Sequence, residues 1–343
     1  MIAAAWPRSA PDDERLLHVD PRRARIADAC VRDLPGLLSP GDVLVVNDAA
    51  TLPASLSVEG ADVEVRLVMR LGSDRAWRAV LFGTGDFRTP TEHRSAPPLF
   101  DVGARLRFGA ELAATITAVD ADEPRLVDLL FASDGAALWS SLYRHGKPIQ
   151  YAYVREPLRL FDVQTRYAAR PWALKMPSAG RPLSWSVLTE LRRRGVTTAA
   201  ITHAAGISST GSTSLDLRLP MRERYVIDDL AVATIRAAKA RGGRVVAVGT
   251  TVVRALESSA LEHDGELAAA DDEATLLVGP GFRLRVVDAI LSGMHPPGTS
   301  HFALLGAFAP SPLLARALEH AERTGYLEHE FGDSMLILVQ KDP

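Results

Sequence analysis

Apolar and polar positions alternate along this chain in three textures. From Pro40 the stretch GDVLVVNDAATLPASL sets a turn before a continuous apolar run, Val43 to Val46, which predicts a buried strand ending on Asn47 and Asp48. Between Val58 and Phe131 the runs VEVRLVM, WRAVLF, ARLRF, LAATITAV and RLVDLLF are short and alternating, and Gly, Asp and Pro separate them. No helix-period segment intervenes, so five or six strands of a small antiparallel barrel or sandwich are expected. After Gly135 helical and strand-like periods take turns. Ser184 is placed to cap a helix WSVLTELRRR that ends at Gly195, and VTTAAIT follows as a strand. A second helix is expected over about Asp228 to Arg241, closed by Gly242 and Gly243 ahead of the strand RVVAVG. A third starts at Thr250 and Thr251 and carries VVRALESSALEH, after which TLLVG and LRVVDAI have strand character. The pattern predicts an α/β main domain, residues 1–57 and 134–343, with a small antiparallel barrel or sandwich inserted over 58–133.

Composition narrows the class. With 343 residues, 47% hydrophobic and 24% charged, the chain can build a large core, so disorder is not expected. No apolar run approaches the ~20 residues that span a bilayer. The opening MIAAAWPRSAPDDER is too briefly apolar and too soon acidic for a signal peptide, so a cytoplasmic protein with no membrane partner is expected. The single cysteine, Cys30, excludes an internal disulfide and a Cys-rich metal site, and is expected as a small buried apolar residue. Lys and Arg number 39 against 42 Asp and Glu, which is not the footprint of a protein that binds chiefly through phosphate contacts. The basic clusters Arg192 to Arg194 and Lys239, Arg241, Arg244 fall where helices should end, and cations there complement the helix dipole.

Four stretches could carry chemistry. In GGRVVAVGTTVVRALES a strand runs through Gly249 into a helix whose first turn offers Thr250, Thr251 and unpaired N–H groups, a start that suits a carboxylate or phosphate as well as an ordinary cap. Neither GxGxxG nor GxxxxGK[ST] occurs. The later histidines, His203, His263, His295, His301, His320 and His329, show no HExxH spacing and no cysteine cluster, so no metal is expected. His295 and His301 flank a proline-rich turn in GMHPPGTSHFALL, which fits a general acid or a surface loop. THAAGISSTGSTSLD sets His203 before Gly206, Ser208 and further small residues, a ligand loop or a flexible linker. The segment Gly146 to Gly180 combines Gln164, Thr165, Tyr167 and the turn Pro177, Ser178, Ala179, Gly180, which suits a purine-and-sugar ligand or an irregular crossover.

Together GDVLVVND with LPASL, QTRYA, PSAG, THAAG, GGRVVAVGTTVVRALES and GYLEHEFGDSMLI resemble the S-adenosylmethionine:tRNA ribosyltransferase-isomerase family of queuosine biosynthesis, over nearly the whole chain. The resemblance implies an α/β domain interrupted by a β-barrel. It also implies S-adenosylmethionine as co-substrate, its ribosyl part passing to the aminomethyl group of a deazaguanine in tRNA while adenine and methionine leave. On that basis His203, Glu223 and His295 are acid/base candidates, and Thr250, Thr251 and Arg254 would hold the methionine carboxylate. Asp333 would orient a sugar hydroxyl, with Asn47, Asp48 and His301 lining the site. The chain departs from the family's pattern where PTAGLHFT becomes PSAGRPLS, bringing Arg181 and Pro182, and where MHxE becomes Pro220-Met221-Arg222-Glu223. An Asn-Asp-Thr-Arg pattern becomes Asn47-Asp48-Ala49-Ala50, and His301 is an added histidine. These departures bear on the acceptor more than the donor, and leave open tRNA, a small amine, or a binding protein that has lost the chemistry.

Overall fold

The computed structural model describes residues 1–340 except Ser208, Arg218, Pro220 and Met221. Val43–Asn47, the continuous apolar run, lies fully buried at the centre of a sheet with nine strands among the described residues. In order across the sheet these are Ala270–Ala274, Glu223–Ile227, Thr197–His203, Val43–Asn47, Val245–Val248, Ala289–Gly293, Ser334–Ile337, Arg15–Asp20 and Arg25–Cys30. The four from Thr197–His203 to Ala289–Gly293 run parallel, and antiparallel neighbours flank them on both sides. A parallel sheet must be covered on both faces. On one face Val232 and Ile235 of Asp229–Ala240, Val252 and Leu256 of Thr250–Glu262, and Leu314 of Ser311–Arg323 pack in one core. On the other, Val187 and Leu191 of Trp185–Arg193 pack with Leu34.

Helix starts follow the sequence signals. Ser184 accepts the Val187 N–H at 3.2 Å, and Asp228 accepts that of Ala231 at 2.8 Å.

The alternating region forms a second sheet of six antiparallel strands, ordered Ser55–Ser57, Glu64–Arg70, Ala76–Phe82, Leu126–Phe131, Leu112–Val119 and Arg105–Gly109. The Glu59 N–H reaches the Arg107 carbonyl at 2.7 Å and draws the outer edges together, so the sheet is barrel-like and nearly closed. Leu138 and Leu142 of the helix Gly135–His145 join its core.

Three expectations are corrected. TLLVG forms no strand; the edge strand is the polar Ala270–Ala274 just before it, where pairing with Glu223–Ile227 supplies the order that hydrophobicity does not. LRVVDAI becomes a strand only from Ala289, because the N–H groups of Arg285, Val286 and Val287 donate to the buried Glu257 carboxylate at 2.9, 3.0 and 2.9 Å. Cys30 is half-buried, since it ends the outermost strand of the sheet.

Candidate active site

Four parallel strands bring their carboxyl ends to one edge, where open α/β sheets leave a crevice. Asn47, His203, Gly249 and His295 all stand at or just beyond those ends. Asn47, 1% exposed, staples three of the segments with one amide. Its Nδ2 donates to the His203 carbonyl at 2.9 Å and to Thr251 Oγ1 at 3.4 Å, while Oδ1 accepts the N–H groups of His203 at 2.9 Å and Ala49 at 3.0 Å. Asp48 accepts the Thr202 hydroxyl at 2.5 Å, and burial raises its carboxyl pKa.

His203 is fully buried, and neither ring nitrogen reaches a hydrogen-bond partner. Burial, and then the charge of Arg254, lower its pKa to about 3, so the ring is neutral at working pH and its approach to Glu223 is not an ion pair. Glu223 is held from both sides. Oε1 accepts the Gly206 N–H at 2.7 Å, and Oε2 accepts Nη1 of Arg254. Burial raises the Glu223 pKa against the opposing pull of Arg254. A Cβ on Gly206 would sit 2.9 Å from Glu223 Oε1, so a side chain there would displace the carboxylate. Arg254 also donates to the carbonyls of Leu276 at 3.1 Å and Ala274 at 2.9 Å. Its guanidinium, expected from sequence at a substrate carboxylate, is committed to Glu223 and the backbone.

The first turn of Thr250–Glu262 has no side-chain cap. Thr250 Oγ1 lies 3.0 Å from His301 Nδ1, and the His301 ring stacks on His295 at 4.9 Å. His295 Nε2 meets Ser292 Oγ at 2.9 Å, and burial followed by His301 lowers the His295 pKa to about 3. Pro177 leads into the short turn Ser178–Gly180, whose Ala179 methyl lies against Gly249. Tyr167 closes on that turn, for a Cβ at Gly180 would fall 1.8 Å from its hydroxyl. Burial and then Asp48 raise the Tyr167 phenol pKa. Thr165 is buried with a hydroxyl that has no partner.

Two expected residues stand apart. Gln164 spends its amide on the Thr51 backbone, at 2.9 Å to both N and O, and clips the crossover in place. Asp333 accepts Arg8 Nη2 at 2.6 Å and the N–H groups of Arg15 at 3.1 Å and Leu327 at 2.8 Å. Its link to the crevice is its carbonyl, which accepts the Met294 N–H at 3.2 Å beside His295. Ser208 lies outside the described residues.

Sequence reasoning did not anticipate two ionisable groups. Lys175 Nζ pairs with Glu330 at 2.9 Å and sits 4.8 Å from the Tyr151 ring centre, where its charge acts on His295 and His301. Glu14 accepts the Ser334 hydroxyl at 2.7 Å with Arg181 Nη1 3.6 Å away, and burial lifts its pKa to about 8. Lone charges far apart in the chain leave no spacing signal. Arg181 was marked only as a departure from the family pattern.

A cavity of about 440 Å³ opens beside Glu223. One wall is the barrel hairpin from Val68 to Trp77; the others are Pro171 to Leu174, Ala204 to Ile207, and Arg222 to Arg224. Among the described residues no group of three or more His, Cys, Asp or Glu could hold a metal ion, and no helix is long and apolar enough to cross a membrane.

Comparison with known proteins places this geometry. The family described as "Queuosine biosynthesis protein" matches residues 1–337. The S-adenosylmethionine:tRNA ribosyltransferase-isomerase of Methylorubrum extorquens is 33% identical over 99% of this chain and 94% of its own length. That of Rhodospirillum rubrum is 34% identical over 100% of this chain and 96% of its own. The crystal structure of an S-adenosylmethionine tRNA ribosyltransferase from Thermotoga maritima shares the fold, with a TM-score of 0.54 at 24% identity, covering 98% of this chain and 96% of that one.

Proposed function

Because the chain belongs to the family of queuosine biosynthesis proteins, we propose that it is an enzyme that transfers the ribosyl part of S-adenosylmethionine to an amine acceptor, releasing adenine and methionine. Its relatives are named for tRNA, which makes a tRNA base the first acceptor to test. The observation that carries the reading is the Asn47 staple, which locks His203 beside the first turn of Thr250–Glu262. Proton-transfer groups and an anion-binding helix start thereby share one crevice.

In this scheme the methionine carboxylate rests on the open N–H groups and hydroxyls of Thr250 and Thr251, where helix dipole and donors favour an anion. The sulfonium acidifies the adjacent C5′ hydrogens, and neutral His203 takes up a proton there with Glu223 beside it to balance the charge formed. Arg254 is a positioning residue that fixes Glu223. His295 and His301 form the wall facing adenine; with its pKa near 3, His295 assists departure by hydrogen bonding and not as a standing acid. Tyr167, Thr165 and the Pro177–Gly180 turn close the crevice over the sugar and exclude water, which suits a substrate with this much built-in reactivity.

For the architecture we read residues 58–133 as a barrel domain inserted in an α/β domain of 1–57 and 134–343, with the barrel's first strand, Ser55–Ser57, drawn from the end of the preceding segment. The separate cores of the two sheets support the division, and the packing of Leu138 and Leu142 extends the barrel's base into the following helix.

The test is incubation with S-adenosylmethionine and tRNA bearing an aminomethyl-deazaguanine. Adenine release together with a mass gain on the RNA is expected; binding of S-adenosylmethionine without adenine release under any acceptor would make the protein a binding relic.

A further inference from the structure

We propose that the barrel holds the loop that follows His203 and thereby sets the His203–Glu223 pair, with Arg125 and Glu123 as positioning residues for the reaction. The inference rests on the ribosyl-transfer reading and adds to it the part played by the barrel. Just past the strand Thr197–His203 the chain is still tied to the main domain, the Ala204 N–H donating to the Arg224 carbonyl at 2.8 Å and the Leu174 N–H to the Ala205 carbonyl at 2.9 Å. Gly206 then donates its N–H to the Glu223 carboxylate at 2.7 Å. The next residue, Ile207, is already buried in the core of the barrel, and Leu215, fully buried, joins it there. The residue that grips the carboxylate is thus bonded directly to one anchored in the other sheet.

Polar groups complete the mounting. Thr210 is fully buried; its N–H and hydroxyl both donate to Asp216, at 2.6 and 2.7 Å, and its carbonyl accepts Nη1 of the barrel's Arg125 at 2.9 Å. The hydroxyls of Ser212 and Ser214 donate to Glu123, that of Ser212 at 3.0 and 3.1 Å to its two oxygens. Gly211 turns between them with a φ of 71°, and a Cβ there would fall 2.6 Å from the Thr91 carbonyl oxygen, so glycine lets the loop close on the barrel. Hydroxyls that in the sequence suit a ligand loop or a linker are taken up in holding the loop. Bonds to the Arg125 cation and the Glu123 carboxylate are charge-assisted, and so stronger than neutral ones. Packed side chains transmit displacement, so a shift of the loop passes through Ile207 to Gly206, and the carboxylate that Gly206 and Arg254 share moves with it. Arg125 and Glu123 therefore act through the loop.

Three readouts on the full chain test this: amide exchange at Gly206, adenine release at saturating S-adenosylmethionine, and affinity for S-adenosylhomocysteine. Arg125→Ala is expected to speed exchange at Gly206 and to lower adenine release, each by about tenfold, and to leave the affinity within about twofold. Arg125→Lys keeps a cationic donor for the Thr210 carbonyl and should recover most of both. Glu123→Ala, which removes the acceptor of both serines, should act in the same direction as Arg125→Ala. Added to Glu223→Gln, Arg125→Ala should deepen the loss by less than about twofold, since a device that acts through the carboxylate has nothing further to misplace. Fully additive losses would mark a general loosening and overturn the proposal. So would exchange at Gly206 that neither Arg125→Ala nor Glu123→Ala alters, or faster exchange with adenine release unchanged. A wild-type chain that releases no adenine while Gly206 still responds to Arg125→Ala would sink the reaction and leave the barrel's hold on Glu223 standing.

Discussion

Nε2 of His203 stands 3.8 Å from Oε2 of Glu223, in a space where neither imidazole nitrogen finds a hydrogen-bond partner. A buried neutral imidazole that is left unpartnered carries an unmet demand for a donor or acceptor, which a bound substrate can satisfy. His203→Ala and Glu223→Gln are each expected to lower adenine release by about 10²–10⁴-fold, the range of a lost acid/base group. Single-turnover release of adenine reads the effect, and turnover unchanged in both variants would remove the pair from the mechanism.

How far the chain was legible follows from the range of each signal. Ser184 and Asp228 declared their helices because a cap acts over three residues, and Val43 to Val46 declared a central strand because burial on both faces forbids polar breaks. The run of strands from 58 to 131 was equally plain in its alternation, while the barrel's first strand, Ser55–Ser57, lies ahead of that run. What stayed hidden depends on partners distant in sequence. Glu257 caps the backbone at 285–287, Arg254 turns toward Glu223, and Lys175 meets Glu330, and none of these pairs leaves a local pattern. The cavity was invisible for the same reason, since Trp172 and Arg224 line it together with a hairpin about a hundred residues earlier.

Thr250 and Thr251 separate binding from proton transfer. Valine at both keeps volume and the helix N–H groups but removes both hydroxyls, one of which meets His301 and the other Asn47. Affinity for S-adenosylmethionine is expected to fall by about tenfold, matching one or two lost hydrogen bonds. Titration calorimetry with S-adenosylhomocysteine checks this without turnover, and unaltered affinity would move the carboxylate elsewhere.

Asn47→Ala should damage fold and site together. It strands the His203 N–H, the His203 carbonyl and the Ala49 N–H in a buried place, at a cost of about 3 kcal/mol or more in unfolding free energy. Asn47→Asp keeps an acceptor for the two N–H groups but sets a carboxylate against the His203 carbonyl, so it should recover less than half of the loss. Urea unfolding distinguishes these from a surface change, which would move stability by about 0.5 kcal/mol at most.

Glu14 gives the fold a pH signature of its own. Its pKa is about 8 in the folded chain against the ordinary 4.5, raised by burial that Ser334 and Arg181 only partly offset. The folded state therefore binds this proton more tightly than the unfolded one. Its contribution is fully present below pH 4.5 and is lost as pH rises through 8. Glu14→Gln keeps an oxygen for the Ser334 hydroxyl and removes the titration. The variant is expected to raise Tm relative to wild type at pH 8.5 and to change it far less at pH 5, a direction opposite to that of the buried histidines. His203 and His295, with pKa values lowered to about 3, contribute stability that is present above pH 6.5 and lost as pH falls from there toward 3. The two ranges overlap between pH 4.5 and 6.5, where two histidines outweigh one carboxyl, so wild-type Tm should peak near pH 6.5, and Glu14→Gln should flatten the fall on its alkaline side. Thermal unfolding of both proteins from pH 5 to 9 decides it: an identical alkaline slope in the variant would show that Glu14 is ionised in the folded chain throughout.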